Sequence, residues 1–78
     1  MDFYIGQIGI FPYSFAPRGW MYCNGQLLPI AEYQALFSLI GTKFGGDGKT
    51  TFALPDYQGL APKGSSYFIY TQGQYPPR

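Results

Sequence analysis

The sequence contains no histidine, and among its 78 residues are only one cysteine, Cys23, and four carboxylate side chains. Zinc is held mainly by cysteine and histidine, so we expect no metal site, and nothing in the sequence indicates a cofactor. A single cysteine cannot form an internal disulfide. Without histidine, acid–base and nucleophilic catalysis also lack their commonest base, so we assign no catalytic residue and predict that the protein is not an enzyme.

Charged residues are scarce as well, at 12% of the chain, and the net charge is +1. The few charges are scattered singly and form no basic stripe, so we expect no nucleic-acid partner. No stretch is long and apolar enough to span a bilayer, so we expect no membrane insertion. Residues 1–12 lack the basic and hydrophobic regions of a secretory signal, so we expect synthesis in the cytoplasm without such a signal.

Aromatic residues are abundant by contrast, at 21% of the chain, with eight tyrosines and seven phenylalanines. The length allows one small domain, residues 1–78, whose core would be marginal in a monomer, so oligomerisation is expected. Several tyrosines exceed what such a core can bury, and we predict that they pack between subunits, with stacking on a sugar or receptor as the alternative. These candidate interface residues are Tyr4, Tyr13, Tyr57, Tyr67, Tyr70 and Tyr75.

The hydrophobic pattern predicts a first strand over Tyr4–Phe11, in which Gly6 and Gly9 indicate a bulge or a close backbone neighbour. Apolar residues at helical spacing predict one helix over Glu32–Ile40, and Gly41 suits its C-terminal end. Together with the strands below, this predicts an α+β domain: a small, mostly antiparallel sheet with a β-hairpin, one short helix and long irregular loops.

The hairpin is expected at Asn24-Gly25, because this dipeptide between the apolar runs 20–23 and 26–29 favours a type I′ turn. The β-branched and aromatic residues of Tyr67–Thr71 predict a last strand. Its apolar content makes it a candidate edge strand that could pair with another chain.

Asp56 follows Pro55 in an apolar run and could be a catalytic carboxylate or a structural hinge. Acid–base catalysis needs a partner group, and the nearest candidates, Lys49 and Lys63, are each seven residues away. We therefore interpret Asp56 as an acceptor of backbone N–H groups that fixes a turn. The predicted turn and hinge residues are Asn24, Gly25, Pro55, Asp56 and Gly59.

The Gly-rich segment 45–50 is superficially similar to a phosphate-binding loop, but Lys43 stands where that motif requires its first glycine. A calcium loop would need more oxygen ligands than Asp47 alone. Cys23, with no histidine to activate it, is predicted to be a small buried residue and not a nucleophile. The predicted core consists of Trp20, Cys23, Leu36, Phe37, Ile40, Phe52 and Leu54.

Several unusual sequence blocks occur in the order that characterises one known family. They are Ile5–Ile8, Phe15–Trp20, Cys23–Ile30, Gln34–Thr42, Phe44–Gly48 and Thr50–Asp56. In these blocks the chain resembles a short form of the phage tail collar domain family, also called microcystin-dependent proteins. Two departures are residues 57–64, which replace a basic, Gly/Val-rich segment found in many members, and Ala31, where the family often has a helix-capping Ser or Asn.

The resemblance implies a structural module of phage-tail-like particles, found in trimeric fibres near their host-binding end, and it brings no catalytic residues. We therefore expect a non-catalytic subunit that assembles with itself, as a trimer or an open filament, in a phage tail fibre, an injection machine or an extracellular appendage. It would lie on the virion tail or outside the cell. The alternative is a receptor- or carbohydrate-binding tip, with cell-surface glycans or other tail proteins as partners.

Overall fold

Two small antiparallel sheets and one short helix make up the computed structural model, which describes residues 3–77. The elements in chain order are β1 (Ile8–Phe11), β2 (Trp20–Tyr22), β3 (Leu27–Pro29), a 3-10 helix (Ile30–Glu32), α1 (Gln34–Ile40), β4 (Thr51–Ala53) and β5 (Ser66–Tyr70). One sheet has the strand order β1-β5-β2, and the other pairs β3 with β4. The predicted α+β class, with a mostly antiparallel sheet arrangement and irregular loops, is confirmed.

The last strand, β5, lies in the middle of the three-stranded sheet, so its predicted position at an edge is wrong. It pairs with β1 through Ile8 opposite Ile69, and with β2 through Trp20 opposite Tyr70. Its residues Phe68 and Ile69 point to opposite faces, and both are almost completely buried. A strand that is apolar on both faces is stabilised by neighbours on both sides, which explains its central position.

The first strand begins later than predicted because a β-bulge interrupts its pairing. The N–H of Gly6 donates to the Tyr70 carbonyl, and the Tyr70 N–H donates to the Gln7 carbonyl, both at 2.9 Å. Two residues therefore oppose one, and Gly6 has a φ of 90°, as the first residue of a G1 bulge requires. The expected bulge is confirmed at Gly6. A Cβ on Gly9 would lie 3.1 Å from the Trp20 ring, so the close neighbour of Gly9 is a side chain and not the expected backbone.

The prediction of a hairpin at Asn24-Gly25 is wrong, because β2 and β3 do not pair with each other. The chain does not reverse direction in segment 23–26. This segment instead leads from β2, which pairs with β5, into β3, which pairs with β4. Gly25 has a φ of 79°, but no other residue type in 3–77 has a positive φ, so Asn24 cannot form a type I′ turn. The dipeptide marks a local change of direction between two sheets, each completed by a strand distant in sequence.

The predicted helix over Glu32–Ile40 is divided. Ile30–Glu32 forms a 3-10 turn, Tyr33 leaves the helical region with φ −131° and ψ 45°, and α1 begins at Gln34. Tyr33 provides no side-chain cap, which agrees with the weak capping signal in the sequence. The C-terminal end is as expected, since the Gly41 N–H donates to Phe37 at 2.7 Å and Gly41 has a φ of 55°.

The main core lies between the helix and the two sheets. It consists of Cys23, Leu28, Leu36, Phe52, Leu54 and Ile69. Phe37 and Ile40 pack against this cluster but are only partly buried, because they lie at the margin of the helix face that Leu36 centres. Trp20 is buried as well, at 7% exposure, where it contacts aromatic rings of the other face of the three-stranded sheet.

Candidate functional site

Asp56 lies where segment 23–26 pairs with the residues that follow β4. Its backbone forms an antiparallel bridge with Asn24, and the Gly25 N–H donates to Pro55 at 3.1 Å. The exposed Asp56 carboxylate accepts the Gln58 N–H at 3.2 Å. A Cβ on Gly25 would meet Asp56 Cβ at 3.2 Å, so the two strands approach closely here. This arrangement joins the two sheets. Within residues 3–77, no second titratable side chain forms a hydrogen bond with the carboxylate.

The turn after Asp56 contains Gly59. The Leu60 N–H donates to the Tyr57 carbonyl at 3.1 Å, which closes a four-residue turn. Gly59 is its third residue and has a φ of 78°, a geometry that favours glycine. The turn leaves Leu60 67% exposed to solvent.

Cys23 is completely buried at the junction of the two sheets. Its N–H donates to Tyr67 at 3.1 Å and its carbonyl accepts from Tyr57 at 2.9 Å. Burial raises the pKa of the Cys23 thiol to about 11, so the reactive thiolate is disfavoured at neutral pH. The geometry agrees with a packing residue and gives no route to a nucleophile.

Asp47 makes more hydrogen bonds than any predicted turn residue, although the sequence argument considered it only as a cation ligand. One carboxylate oxygen accepts the backbone N–H groups of Thr51, Lys49 and Thr50 at 2.8–2.9 Å, and the other accepts the Thr50 hydroxyl at 3.0 Å. These bonds lower the pKa of Asp47 well below its ordinary value, that of Thr51 most strongly. The carboxylate therefore stabilises the loop to which it belongs. The sequence signal for this role is an Asp that lies between two glycines and is followed by polar residues.

The loop that Asp47 orders lies against the outer side of β4. The Ala53 N–H donates to Gly45 at 3.1 Å, and the Gly48 N–H donates to Thr51 at 2.9 Å. A Cβ on Gly46 would lie 2.7 Å from the Thr51 carbonyl oxygen and closer still to the Phe52 Cα. The Gly-rich segment therefore covers a strand edge, and no helix follows it as a phosphate-binding loop would require.

The six candidate interface tyrosines do not form one surface. Tyr57 and Tyr67 are partly buried and contact each other edge to face, with ring centroids 5.7 Å apart. Tyr70 is also partly buried and contacts Trp20. Tyr4 and Tyr75 are exposed near the bridge that joins the two ends of the described chain, where the Tyr75 hydroxyl lies 2.7 Å from the Ser38 hydroxyl.

Tyr13 belongs to a row of stacked rings that the sequence argument did not identify. Phe11 and Tyr13 stack with centroids 5.6 Å apart, and Tyr13 and Phe15 stack at 4.6 Å with an angle of 17° between the rings. We call Phe11, Tyr13 and Phe15 the aromatic row. It begins against buried Phe68 and ends at Phe15, whose side chain is 66% exposed. A large apolar ring held rigidly in water is a feature of binding surfaces.

An open apolar groove lies on the opposite face of the same sheet. It has a volume of about 340 Å³ and is lined by Ile8, Tyr57, Leu60 and Tyr67. Ile8 lies on the face of β1 opposite to Phe11, since successive strand residues alternate. The three-stranded sheet therefore presents one exposed apolar feature on each face. Leu60 and Ile8 were not among the expected interface residues, which were chosen only among tyrosines.

The described part of the chain contains no cluster of three metal-ligating side chains, and Asp2, one of the four carboxylates, lies outside it. The one α-helix found in residues 3–77 is far too short to cross a bilayer, and no other helix there could do so. The polar groups described above are occupied by turns and strand edges. The exposed side chains also include large apolar ones, such as Phe15, Leu27 and Leu60. Exposed apolar surface of this kind is a feature of binding and assembly surfaces.

Comparison with known families gives one match. The family described as Phage Tail Collar Domain matches residues 6–62, which is more than half of the 78-residue chain. A search of curated proteins found no match. The matched family is a structural domain of phage tail fibres. The matched residues include the two segments that pair at Asn24 and Asp56, the helix and the Asp47 loop. The chain therefore belongs to the phage tail collar domain family.

Proposed function

We propose that this protein is a non-catalytic structural subunit that assembles with itself in a phage-tail-like fibre, an injection machine or an extracellular appendage. The observation that carries the proposal is exposed apolar surface on a chain with few charges. Phe15, Leu27 and Leu60 are each at least 60% exposed. Such surface is stabilised when a neighbouring subunit covers it, and collar domains in tail fibres typically associate in oligomers.

The turn and core residues have structural roles in this proposal. Asn24, Gly25, Pro55 and Asp56 join the two sheets, and Gly59 shapes the turn that presents Leu60. We extend the proposal to the whole chain as one domain, made in the cytoplasm and acting on a virion tail or outside the cell. The assembly would be a closed trimer or an open filament, and other tail or appendage proteins would be neighbours.

Sedimentation velocity of the purified protein at micromolar concentration, followed by electron microscopy, tests this proposal. We expect discrete oligomers or regular filaments, with no free monomer as the main species. A stable monomer over the whole accessible concentration range would contradict self-assembly. Detection of a turnover that disappears in Asp56→Asn, while folding is retained, would contradict the non-catalytic role.

The alternative function, a receptor- or carbohydrate-binding tip for host attachment, is favoured by the aromatic row. Sugar rings stack on exposed aromatic faces, and Phe15 ends the stacked row with a side chain that is 66% exposed. Glycan-array binding of the wild-type protein tests it, with Phe15→Ser as the variant and Leu27→Ser as the control, because both residues are similarly exposed. Binding that is lost only in Phe15→Ser would favour the tip function over a purely structural one.

A further inference from the structure

The outer side of β1 carries main-chain groups that are not used within the described chain. The Tyr70 N–H donates to Gln7, so the pairing groups of Gln7, Gly9 and Phe11 point towards β5. The N–H and C=O groups of Ile8 and Ile10 therefore point outwards. Within residues 3–77, these outward-pointing groups form no main-chain hydrogen bond. Such an edge is a template for an added strand.

The other strand edges are covered by local contacts or blocked. On the outer side of β2, the Trp20 N–H donates to Pro17 at 3.0 Å. On the outer side of β4, the Ala53 N–H donates to Gly45 at 3.1 Å. In β3, Pro29 has no N–H to donate. Among the strand edges that the structure describes, β1 is the one where two successive outward-facing residues, Ile8 and Ile10, keep both their N–H and C=O groups without a partner.

The side chains of this edge are apolar, and no charge protects it. Ile8 and Ile10 are 39% and 44% exposed, and no residue from Phe3 to Pro17 is charged. Proteins usually protect an exposed edge with charged side chains, especially lysine. The bulge before Ile8 and Pro12 after Phe11 limit the length of strand that can pair, but they leave the Ile8–Phe11 stretch itself accessible.

We propose that the β1 edge pairs with the β1 edge of a second copy of this chain, antiparallel and across a two-fold axis at Gly9. Ile8 then lies opposite the partner's Ile10, and Ile10 opposite the partner's Ile8. Both pairs use outward-pointing groups, so the contact forms four main-chain hydrogen bonds and joins two three-stranded sheets into one. This inference rests on the self-association in the proposed function and assigns it a surface. A two-fold contact fits a filament built from dimers and not a closed trimer of single chains.

A second copy fits this edge better than an unrelated peptide, because the strand is complementary to itself. The two-fold pairing places isoleucine opposite isoleucine on the groove face, beside Leu60 and Tyr57. At the axis two glycines meet, which leaves room for the close approach of the backbones. Since both edges are uncharged, two copies meet without repulsion.

The pairing is isologous and closes at two subunits, so it cannot extend by itself. The aromatic row lies on the opposite face of the sheet and is left exposed by this contact. A filament built from such dimers would use it, or another surface, as the second contact.

Sedimentation equilibrium of two matched variants tests the edge. Ile10→Lys adds a charge to β1, and Leu27→Lys adds the same charge to an exposed leucine on the edge strand β3. We expect Ile10→Lys to weaken dimerisation by about tenfold or more and Leu27→Lys to leave it unchanged. Circular dichroism at the same concentrations establishes that both variants remain folded. Equal dimerisation of Ile10→Lys and the wild type would overturn the proposal.

Mixed disulfide formation tests the register. We expect an equimolar mixture of Ile8→Cys and Ile10→Cys to form a cross-linked heterodimer under mild oxidation, because opposed Cα atoms in such a pair are about 5.5 Å apart. Each variant alone should cross-link much less. The wild type is the control, because its one thiol, Cys23, is buried. No preference for the mixture would overturn the register.

The outcomes separate this inference from the proposed function. If the wild type and Ile10→Lys oligomerise equally, the β1 contact is contradicted, but the proposed self-assembly is not. A wild type that stays monomeric contradicts both. A monomer that instead binds a synthetic extended peptide at β1, detected by amide shifts of Ile8 and Ile10, overturns the second copy as the occupant.

Discussion

At the scale of single residues, Asp47 and Asp56 show how far sequence reasoning about carboxylates reaches. Both lie in turn-forming surroundings, and both bond to their own local backbone in the structure. Asp56 could be selected from the sequence, because a proline and apolar residues surround it. Asp47 could not, since the number of N–H groups that converge on a carboxylate depends on loop torsions that residue types do not specify.

Asp47→Asn is predicted to destabilise the fold at neutral pH and to weaken the dependence of stability on pH. The pKa of Asp47 is lowered from 3.8 in the folded state, so its stabilisation is present above about that pH and is lost as the pH falls through the lower folded value. Thermal melting from pH 7 to pH 2 measures this. The difference between the wild type and the variant should become smaller as the pH falls.

Glu32→Gln is the matched control, because Glu32 is an exposed carboxylate in the 3-10 helix. We expect it to leave the melting temperature at pH 7 nearly unchanged. If Asp47→Asn behaved in the same way, the hydrogen bonds to Asp47 would not contribute to stability.

Gly46→Ala is predicted to cost about 2–5 kcal/mol of unfolding free energy. About 1–2 kcal/mol comes from the positive φ of 93°, and the rest from overlap of the new methyl group with the β4 backbone. Gly59→Ala isolates the first contribution, because Gly59 has a similar φ of 78° with nothing within 4 Å of its Cβ position. Denaturant unfolding of both variants measures the difference. Equal losses would mean that the close approach at Gly46 is not tight.

At the scale of elements, the sequence predicted where strands and the helix lie better than it predicted how they pair. The Ile8–Phe11 and Ser66–Tyr70 strands fall within or beside the expected segments. Asn24-Gly25 has the composition of a hairpin, and Gly25 does adopt a positive φ. The choice between a reversal and a through-going segment is made by β4 and β5, which lie distant in sequence, and a local pattern does not contain that information.

The burial of β5 could have been predicted from its sequence. Its phenylalanine and isoleucine alternate on the two faces with no polar residue at either position, and such a strand is typical of a sheet centre. Hydrophobicity alone, which suggested an edge, does not distinguish an edge strand from a central one. For the helix, Leu36 is central and Phe37 marginal, because Leu36 lies at the centre of the face that packs on the core and Phe37 at its margin.

Leu36→Ala is predicted to cost about 2–5 kcal/mol, because Leu36 is 1% exposed and is the one buried residue of α1. Leu39→Ala removes the same atoms from the same helix at a partly exposed position and should cost clearly less. Chemical denaturation compares the two variants with helix propensity held constant. Similar losses would mean that α1 does not attach to the core through Leu36.

At the scale of the whole molecule, the chain has a small core and a large share of exposed apolar side chains. Length, charge and tyrosine content predict surplus aromatic surface and self-association. They do not locate that surface, because exposure depends on which face each strand turns inwards. Tyr67 and Tyr70 are partly buried, whereas Phe15, Ile10 and Leu60 are exposed.

Association should therefore contribute to the stability of the fold itself. A subunit that binds only in its folded form raises the apparent stability by mass action, so the melting temperature of the wild type should rise with protein concentration. The expected rise is about 4–8 °C for each kcal/mol that association adds per subunit. Differential scanning calorimetry at protein concentrations that span about a hundredfold range around micromolar measures this rise in melting temperature.

The same measurement on Ile10→Lys and Leu27→Lys connects stability to the β1 edge. Ile10→Lys should melt at a temperature that depends much less on concentration, because the added charge opposes the contact between copies without touching the core. Leu27→Lys should keep the wild-type dependence, since it lies on β3 in the other sheet. If all three proteins melted independently of concentration, the fold would be stable as a monomer, and the exposed rings of the aromatic row would then be free for a receptor or a sugar.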